Sequence, residues 1–328
     1  MGDINNIFIC ITPLQMMIAE RIILNEKLNP KESILIALSF DKSKKQQHYY
    51  NKIKPLFSKA FHFNINFNGS RWLQLKHHCL INNLIATNLT SRKGYNVYFA
   101  SINDKSIHQI CSKVIINTIF TFDDGTANIN KNGVYFDDRE TLKSKLLNFI
   151  FSIKKRQKEI KKTINKHYTI YPDLENIVDK NKLVGLDIWH FISNEITHVD
   201  ERKVKRIFLG QPFDELNLDI EIIIKKLNEL SVTNYFPHPR EKHTFKDVTY
   251  IESSLIFEDY IYCEIEKNPN IFYEIYSINS TALLNIISLS RSEKIGIYYL
   301  YNNDLKCNFQ NIYDIFDSLG ISAVELLP

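Results

Sequence analysis

Glycine is scarce in this chain, nine residues in 328. No G-x-G-x-x-G string and no G-x-x-x-x-G-K-S/T loop occurs, so a nucleotide bound here is held without those glycine-rich phosphate cradles. Cysteine is scarce as well: Cys10, Cys79, Cys111, Cys263 and Cys307 are scattered, odd in number and form no C-x-x-C pair. That argues against a zinc site or a disulfide framework and suits a reducing compartment. Long apolar runs are missing too. The run at residues 7–11 is far shorter than the about 20 residues that cross a bilayer, and no basic leader precedes it. It reads as a buried first strand, and the expected location is cytoplasmic. Excess charge of one sign is small: 41 Lys and Arg against 37 Asp and Glu, a net of +4. No nucleic-acid binding is expected from so mild an excess. An anionic substrate suits it, and peripheral contact at the inner face of the cell membrane stays open.

What the chain does have is apolar residues, 44% of the total, enough for the cores of two ordinary domains. Strand-like and helix-like patterns alternate. Residues 6–11, 33–40, 96–100 and 118–122 read as strands, with helical spacing at 14–28 and in the polar stretch through Tyr49 and Tyr50. Such alternation predicts an α/β fold with a parallel sheet covered by helices. Residues 206–209 begin the theme again after a linker at about 191–205. Helix is expected at 215–230 and 257–267, strand at 232–236 and 272–276, and a short apolar tail at 324–327. The predicted domains are therefore 1–190 and 206–328. A long amphipathic helix is expected at 141–165, ending in a lysine-rich run from Lys154 to Lys162. A solvated helix face is the favoured reading of that run, with attraction to anionic lipid or glycolipid as the other.

Three islands carry candidate chemistry. The first is Phe122-Asp123-Asp124-Gly125. Adjacent carboxylates at a strand end repel, which raises one pKa toward that of a useful base. Glycine lets the backbone turn closely around a ligand. Taken alone, the island reads better as an ordinary Asp-Gly turn, which is common, and a second pair, Asp137-Asp138, is given no role. The second island is Phe236-Pro237-His238-Pro239-Arg240. Its two prolines exclude helix and present His238 rigidly beyond a strand. Such a histidine can donate to a leaving phosphate, or it can be structural. His77, His78, His108 and His243 lack this scaffolding and are expected at the surface. The third island, Tyr276 to Thr281, ends in Ser280-Thr281 before an apolar helical start. Those hydroxyls suit a helix cap and, by the same geometry, a phosphate. Gly210-Gln211-Pro212-Phe213-Asp214 closes the first strand of the second half. Asp214 or Glu215 either caps the next helix or reaches a ligand. Carboxyl ends of parallel strands are where ligands bind, so Thr12, Ser101 and Asp123-Asp124 are expected to line one crevice.

Together the islands resemble glycosyltransferase family 52, the bacterial lipooligosaccharide sialyltransferases. The likeness extends to Phe8-Ile9-Cys10-Ile11-Thr12 with Leu14-Gln15-Met16, to Tyr98-Phe99-Ala100-Ser101, His167-Tyr168-Thr169-Ile170 and Leu209-Gly210-Gln211-Pro212, and to the stretch from Glu258 to Tyr276. The resemblance implies a GT-B-like fold of two Rossmann-type domains with parallel sheets facing a central cleft, the donor held mainly by the second. It implies an inverting transfer of N-acetylneuraminic acid from CMP-N-acetylneuraminic acid to a terminal galactoside of a glycan or glycolipid, commonly α2,3, with no metal and no cofactor. His238 then faces the phosphate, as do Ser280 and Thr281. The base follows the Gly-x-Pro turn, for which Asp214 is the nearest match after a one-residue shift. Asp124 is the other candidate, because a related family uses its acidic pair. Thr12, Gln15, Asp123, Gly125, Gly210, Gln211, Pro237, Pro239 and Glu258 complete the expected substrate-binding set. A homodimer stays open. Some family members carry an amino-terminal anchor; a chain opening at its first strand would meet a membrane only peripherally. Two other readings are a family enzyme with another sugar donor or a capsular acceptor, and a silent nucleotide-sugar or glycan binder.

Overall fold

Asn6–Cys10 and Ser33–Ser39 are buried at every position. Strands buried on both faces, with near-continuous apolar sequence, belong to parallel sheets. The computed structural model describes residues 4–40, 43–65, 68–90, 92–189, 203–216 and 218–326. The chain divides into two compact units, Met1–Ile188 and Trp189–Pro328.

In the first unit the order is β1 (Asn6–Cys10), α1 (Pro13–Asn25), β2 (Ser33–Ser39), α2 (Lys44–Ile53), β3 (Lys59–Asn64), α3 (Arg71–Asn88), β4 (Tyr95–Phe99), α4 (Lys105–Lys113), β5 (Ile116–Phe122), α5 (Leu142–Ile150), α6 (Gln157–Thr163), β6 (Ile164–Thr169) and β7 (Leu183–Gly185). The seven strands run in the order β3-β2-β1-β4-β5-β6-β7, and every pairing is parallel. The chain winds outward from β1 in one direction and from β4 in the other. The strand order reverses between those two, which is where doubly wound sheets open a ligand crevice. Ile7, Ile9, Ile34, Ile36, Val97 and Phe99 sit in the core of this unit.

In the second unit the order is β8 (Lys203–Leu209), α7 (Ile220–Glu229), β9 (Asn234–Phe236), β10 (Thr249–Tyr250), α8 (Phe257–Lys267), β11 (Ile271–Ser277), α9 (Ala282–Asn285), β12 (Ile295–Tyr301), α10 (Asn303–Ser318) and β13 (Ser322–Glu325). Its six strands run β10-β9-β8-β11-β12-β13, again all parallel. This is the same winding, with the reversal between β8 and β11. No helix among the described residues is long and apolar enough to cross a membrane.

The structure departs from the sequence reading at three places. The helix expected over 141–165 is two, α5 and α6. Ser152 takes a left-handed φ of 53°, and the Lys154 and Lys155 amides donate to Ser112 Oγ at 2.9 and 2.8 Å, so the chain is tied down between the helices. The expected linker loses residues 203–205 to β8, whose Lys203 pairs with Ile271; its residues 191–202 lie outside the described ones. Neither Asp214 nor Glu215 caps a helix. They sit on a 3₁₀ turn, Phe213–Glu215, and Asp219 caps α7 by accepting from the Glu221 amide at 3.0 Å.

Candidate active site

The first unit gathers polar groups beyond β1, β4 and β5, which are neighbours in the sheet. Past β1, Thr12 caps α1, accepting from the Gln15 amide at 3.3 Å, with Pro13 at the first helical position. That cap turns Gln15 inward, where it is fully buried. Its Oε1 accepts from the Ile11 amide at 2.6 Å, and its Nε2 donates to Ser101 Oγ at 2.9 Å and Asp124 Oδ1 at 2.7 Å. Ser101, just past β4, donates to Asp124 Oδ2 at 2.9 Å, as does the Tyr135 hydroxyl. Burial, aided by the Asp124 charge, pushes the Tyr135 phenol pKa up, which keeps it a donor. An ionised carboxylate offers about four acceptor positions. These three donors leave one, on Oδ1. Gly125 follows at a φ of 57°, the left-handed region that glycine enters without penalty. Asp124 lines a cavity of about 400 Å³ with Thr12, Phe40, Ser101, Asn103 and Lys105.

Asp123 is different. It is 0% exposed. His167 Nε2 (3.0 Å) bonds its Oδ1, and the Thr169 hydroxyl (2.9 Å) and the Ile170 amide (2.7 Å) donate to Oδ2. A carboxylate so enclosed holds β5 against the end of β6 and does not reach a substrate. The expectation that Asp123 binds substrate is corrected on that ground. The acidic pair thus separates into a structural member and a cavity-lining one.

The second unit gathers polar groups beyond β9, β8 and β11, again adjacent strands. Past β9, the Arg240 amide donates to His238 Nδ1 at 3.1 Å. With Nδ1 accepting, the proton of the neutral ring sits on Nε2, which makes that nitrogen a donor. Pro237 and Pro239 flank it, and the His238 amide donates to Glu241 Oε2 at 3.3 Å. Glu241 also accepts from the Tyr235 hydroxyl at 2.5 Å. Gly210, past β8, lies against this pair: an added Cβ would meet the Tyr235 hydroxyl at 2.6 Å and also the Glu241 carboxylate. Only glycine leaves the room. Buried Gln211 accepts from Ser277 Oγ at 3.4 Å and from the Asn279 amide at 3.2 Å, joining the end of β8 to that of β11 across the reversal point. Among the described residues its buried Nε2 has no hydrogen-bond partner.

Ser280 and Thr281 follow β11. Thr281 stands at the N-cap position of the single turn α9, and its side chain caps nothing; Ser280 Oγ accepts weakly from the Ala282 amide at 3.4 Å. Buried Glu258, in the first turn of α8, accepts from Asn285 Nδ2 at 2.7 Å and so fixes α9. Asp214 is exposed, with Lys242 Nζ and His243 Nε2 each 3.0 Å from its carboxylate. Hydrogen bonds from Lys242 and then His243 hold its pKa below the usual carboxylate range.

Three histidines expected at the surface are buried. His77 Nε2 meets Ser106 Oγ at 2.8 Å, His78 Nδ1 meets Gln109 Oε1 at 2.5 Å, and His108 Nε2 meets the Ile102 carbonyl at 2.7 Å. Burial lowers the pKa of His77 and of His108 to about 4. His243 is exposed as expected, but it belongs with Asp214. The sequence reading missed Tyr135, His167 in its bond to Asp123, and Glu241. His167 and Tyr135 act on partners from a neighbouring strand or across a loop, and Glu241 acts within its own loop, where no residue pattern marks it. Among the described residues no group of three or more His, Cys, Asp or Glu is arranged to share a metal.

Two all-parallel α/β units, each with its polar groups beyond the carboxyl ends at the reversal point, define a GT-B-like fold. The chain is similar to the crystal structure of the glycotransferase of kitacinnamycin, with a TM-score of 0.53 at 7% identity over 99% of this chain and 87% of that one. It is similar to a putative UDP-N-acetylglucosamine 2-epimerase from Listeria monocytogenes, with a TM-score of 0.51 at 9% identity over 97% and 90%. The chain belongs to glycosyltransferase family 52, whose model matches residues 31–299. It is 30% identical to a CMP-N-acetylneuraminate:beta-galactoside alpha-2,3-sialyltransferase of Pasteurella multocida (strain Pm70), over 98% of this chain and 99% of that protein. It is 29% identical to an N-acetyllactosaminide alpha-2,3-sialyltransferase of Haemophilus influenzae, over 98% and 99%. A protein of the same name from Neisseria meningitidis is 30% identical over 98% of this chain and 85% of its own length.

Proposed function

We propose that this enzyme is an inverting sialyltransferase. It moves N-acetylneuraminic acid from CMP-N-acetylneuraminic acid to a terminal galactoside of lipooligosaccharide or a related glycan, forming an α2,3 linkage. The observation that carries the reading is the near-complete match, 98% of the chain, to proteins named for that transfer. The bond from the sialyl C2 to the phosphate oxygen breaks, and its electrons leave with CMP. Protonated Nε2 of His238 donates to that phosphate, supported by the Arg240 amide that fixes the tautomer. Ser280 and Thr281 complete the phosphate side, and Gln211 ties this loop to the end of β8. The acceptor hydroxyl attacks the opposite face of C2 and loses its proton to a carboxylate.

Asp214 is assigned that proton. The residue is the nearest match, one position later past Phe213, to the base that follows the Gly-x-Pro turn in the family. Its support in the geometry is openness: two of its acceptor positions are taken, and it is exposed. A carboxylate of low basicity suits a hydroxyl that becomes acidic only as the cationic sialyl centre forms. Asp124, with three positions taken, is then the group that orients the acceptor. No metal enters these steps.

Incubation with CMP-N-acetylneuraminic acid and lactose in EDTA tests the proposal. Sialyllactose should accumulate in step with CMP. CMP without a sialylated product would make the protein a hydrolase, and no turnover would favour a silent binder or another sugar donor. Turnover that stops in EDTA and returns with Mg²⁺ would overturn the metal-free mechanism.

A further inference from the structure

Helix α5 is built inside out. On a surface helix the apolar stripe faces the core and the polar residues face water. Here Leu142, Leu146, Phe149 and Ile150 share one face by their spacing of four, seven and eight residues, and they are 82%, 61%, 84% and 54% exposed. At the centre of the side turned to the protein stands a polar residue. Asn148 is buried, donates to Glu140 Oε1 at 2.8 Å and accepts from Lys105 Nζ at 3.3 Å. Ser144 and Leu147, on the same side, are half-buried. Exposed Val134 lies on the loop before the helix. Single apolar side chains in water need no explanation; a contiguous stripe on one helix does.

The charge around the stripe says what covers it. Residues 141–166 hold nine Lys and Arg and one acid, Glu159, a net of +8 in a chain of net +4, so the remaining residues sum to −4. Lys143 and Lys145 are exposed and flank the stripe on its two sides, about 75–85° around the helix from its centre at the usual 3.6 residues per turn. Lys154, Lys158, Lys162 and Lys166 continue the exposed positive charge. Among the described residues no carboxylate pairs with these six lysines. A second copy of this face would bring two such clusters together, and like charges across an interface repel. An apolar stripe bordered by lysines instead fits an interface of acyl chains beneath anionic headgroups.

We propose that α5 docks the enzyme on an anionic lipid surface, with Leu142, Leu146, Phe149 and Ile150 entering the headgroup boundary and the lysines contacting the headgroups. This rests in part on the sialyltransferase reading, in which the acceptor is a glycolipid held at such a surface; the docking itself does not require turnover.

Co-sedimentation of the whole protein with vesicles separates the two. The wild type should sediment with vesicles of phosphatidylcholine and phosphatidylglycerol, stay in solution with phosphatidylcholine alone, and leave the anionic vesicles as salt is raised. Leu146→Glu with Phe149→Glu should lower binding at least about tenfold, since it removes apolar insertion and adds two like charges. Lys143→Glu with Lys145→Glu, wholly on the solvent side, should do the same and guards against a fold defect in the first variant. Both variants should keep wild-type turnover of lactose, lose turnover of a galactose-terminated glycolipid in anionic vesicles, and keep the wild-type mass in analytical ultracentrifugation. Absence of wild-type binding to anionic vesicles overturns the proposal. So does equal binding by both variants, or a dimeric wild type that the Phe149 variant converts to monomer, which would make the face a self-interface.

Discussion

The role proposed for His238 rests on one hydrogen bond. The Arg240 amide occupies Nδ1, so the ring offers a proton from Nε2 without needing a positive charge. His238→Ala should therefore lower kcat by about 10²–10³, the usual loss for one donor to a developing anion, and leave KM for the donor nearly unchanged. A folded variant with near-normal kcat would remove the assignment. The two aspartates differ in the same terms. Asp214 is exposed and paired only to Lys242 and His243, whereas Asp124 is held by Gln15, Ser101 and Tyr135. Assayed side by side, Asp214→Asn should lose about 10²–10⁴ in transfer, the usual contribution of a general base, and still bind CMP. Asp124→Asn should raise the acceptor KM instead. The reverse pattern moves the base to Asp124, and normal transfer by both would require another residue altogether. The islands that hold His238, Ser280 and both aspartates stand out in the sequence because prolines, glycines and strand ends punctuate them, and the structure places each beyond a strand end. Glu241 behind His238 and Tyr135 on Asp124 do not, since a tyrosine or glutamate in a loop carries no mark of the partner it turns to.

The elements were legible where burial follows composition. β1, β2, β8 and β11 are apolar runs and were read within a few residues. Two helices bury polar side chains that composition does not mark as interior. In α3, Trp72, Leu73 and Leu80 are exposed while His77 and His78 are buried against Ser106 and Gln109 of α4. Helix α5 repeats the pattern with Asn148. In α3 these hydrogen bonds stand beside the apolar contacts of Ile81, Leu84 and Ile85, whereas in α5 the buried contact is polar. The turn after β8 shows the opposite case, a fold requirement visible in one residue. Gly210 has an ordinary φ, so its need is space: a Cβ would press on Tyr235 and Glu241. Gly210→Ala should cost about 1–3 kcal/mol in stability, as overpacking does, seen as a lower thermal midpoint. Because Glu241 accepts from the His238 amide, kcat should fall as well. An unchanged midpoint and unchanged kcat would mean the turn relaxes freely.

At the scale of the molecule, each unit is wound in the same order from its own first strand, and each carries its polar groups at its own reversal point. The repetition was legible only as an alternation of patterns, because the two halves share no sequence motif. The proposed division of labour gives His238, Gln211, Ser280 and Thr281 in the second unit to CMP, and Asp124 with its cavity in the first to the acceptor. The central claim is the transfer itself: which sugar moves, to which hydroxyl, and with which stereochemistry. Heteronuclear NMR of the product made from CMP-N-acetylneuraminic acid and lactose reads all three at once. The account predicts a long-range correlation from sialyl C2 to galactose H3 and an α anomer, opposite in configuration to the donor. A retained configuration, or a product carrying no sialyl group, would contradict it.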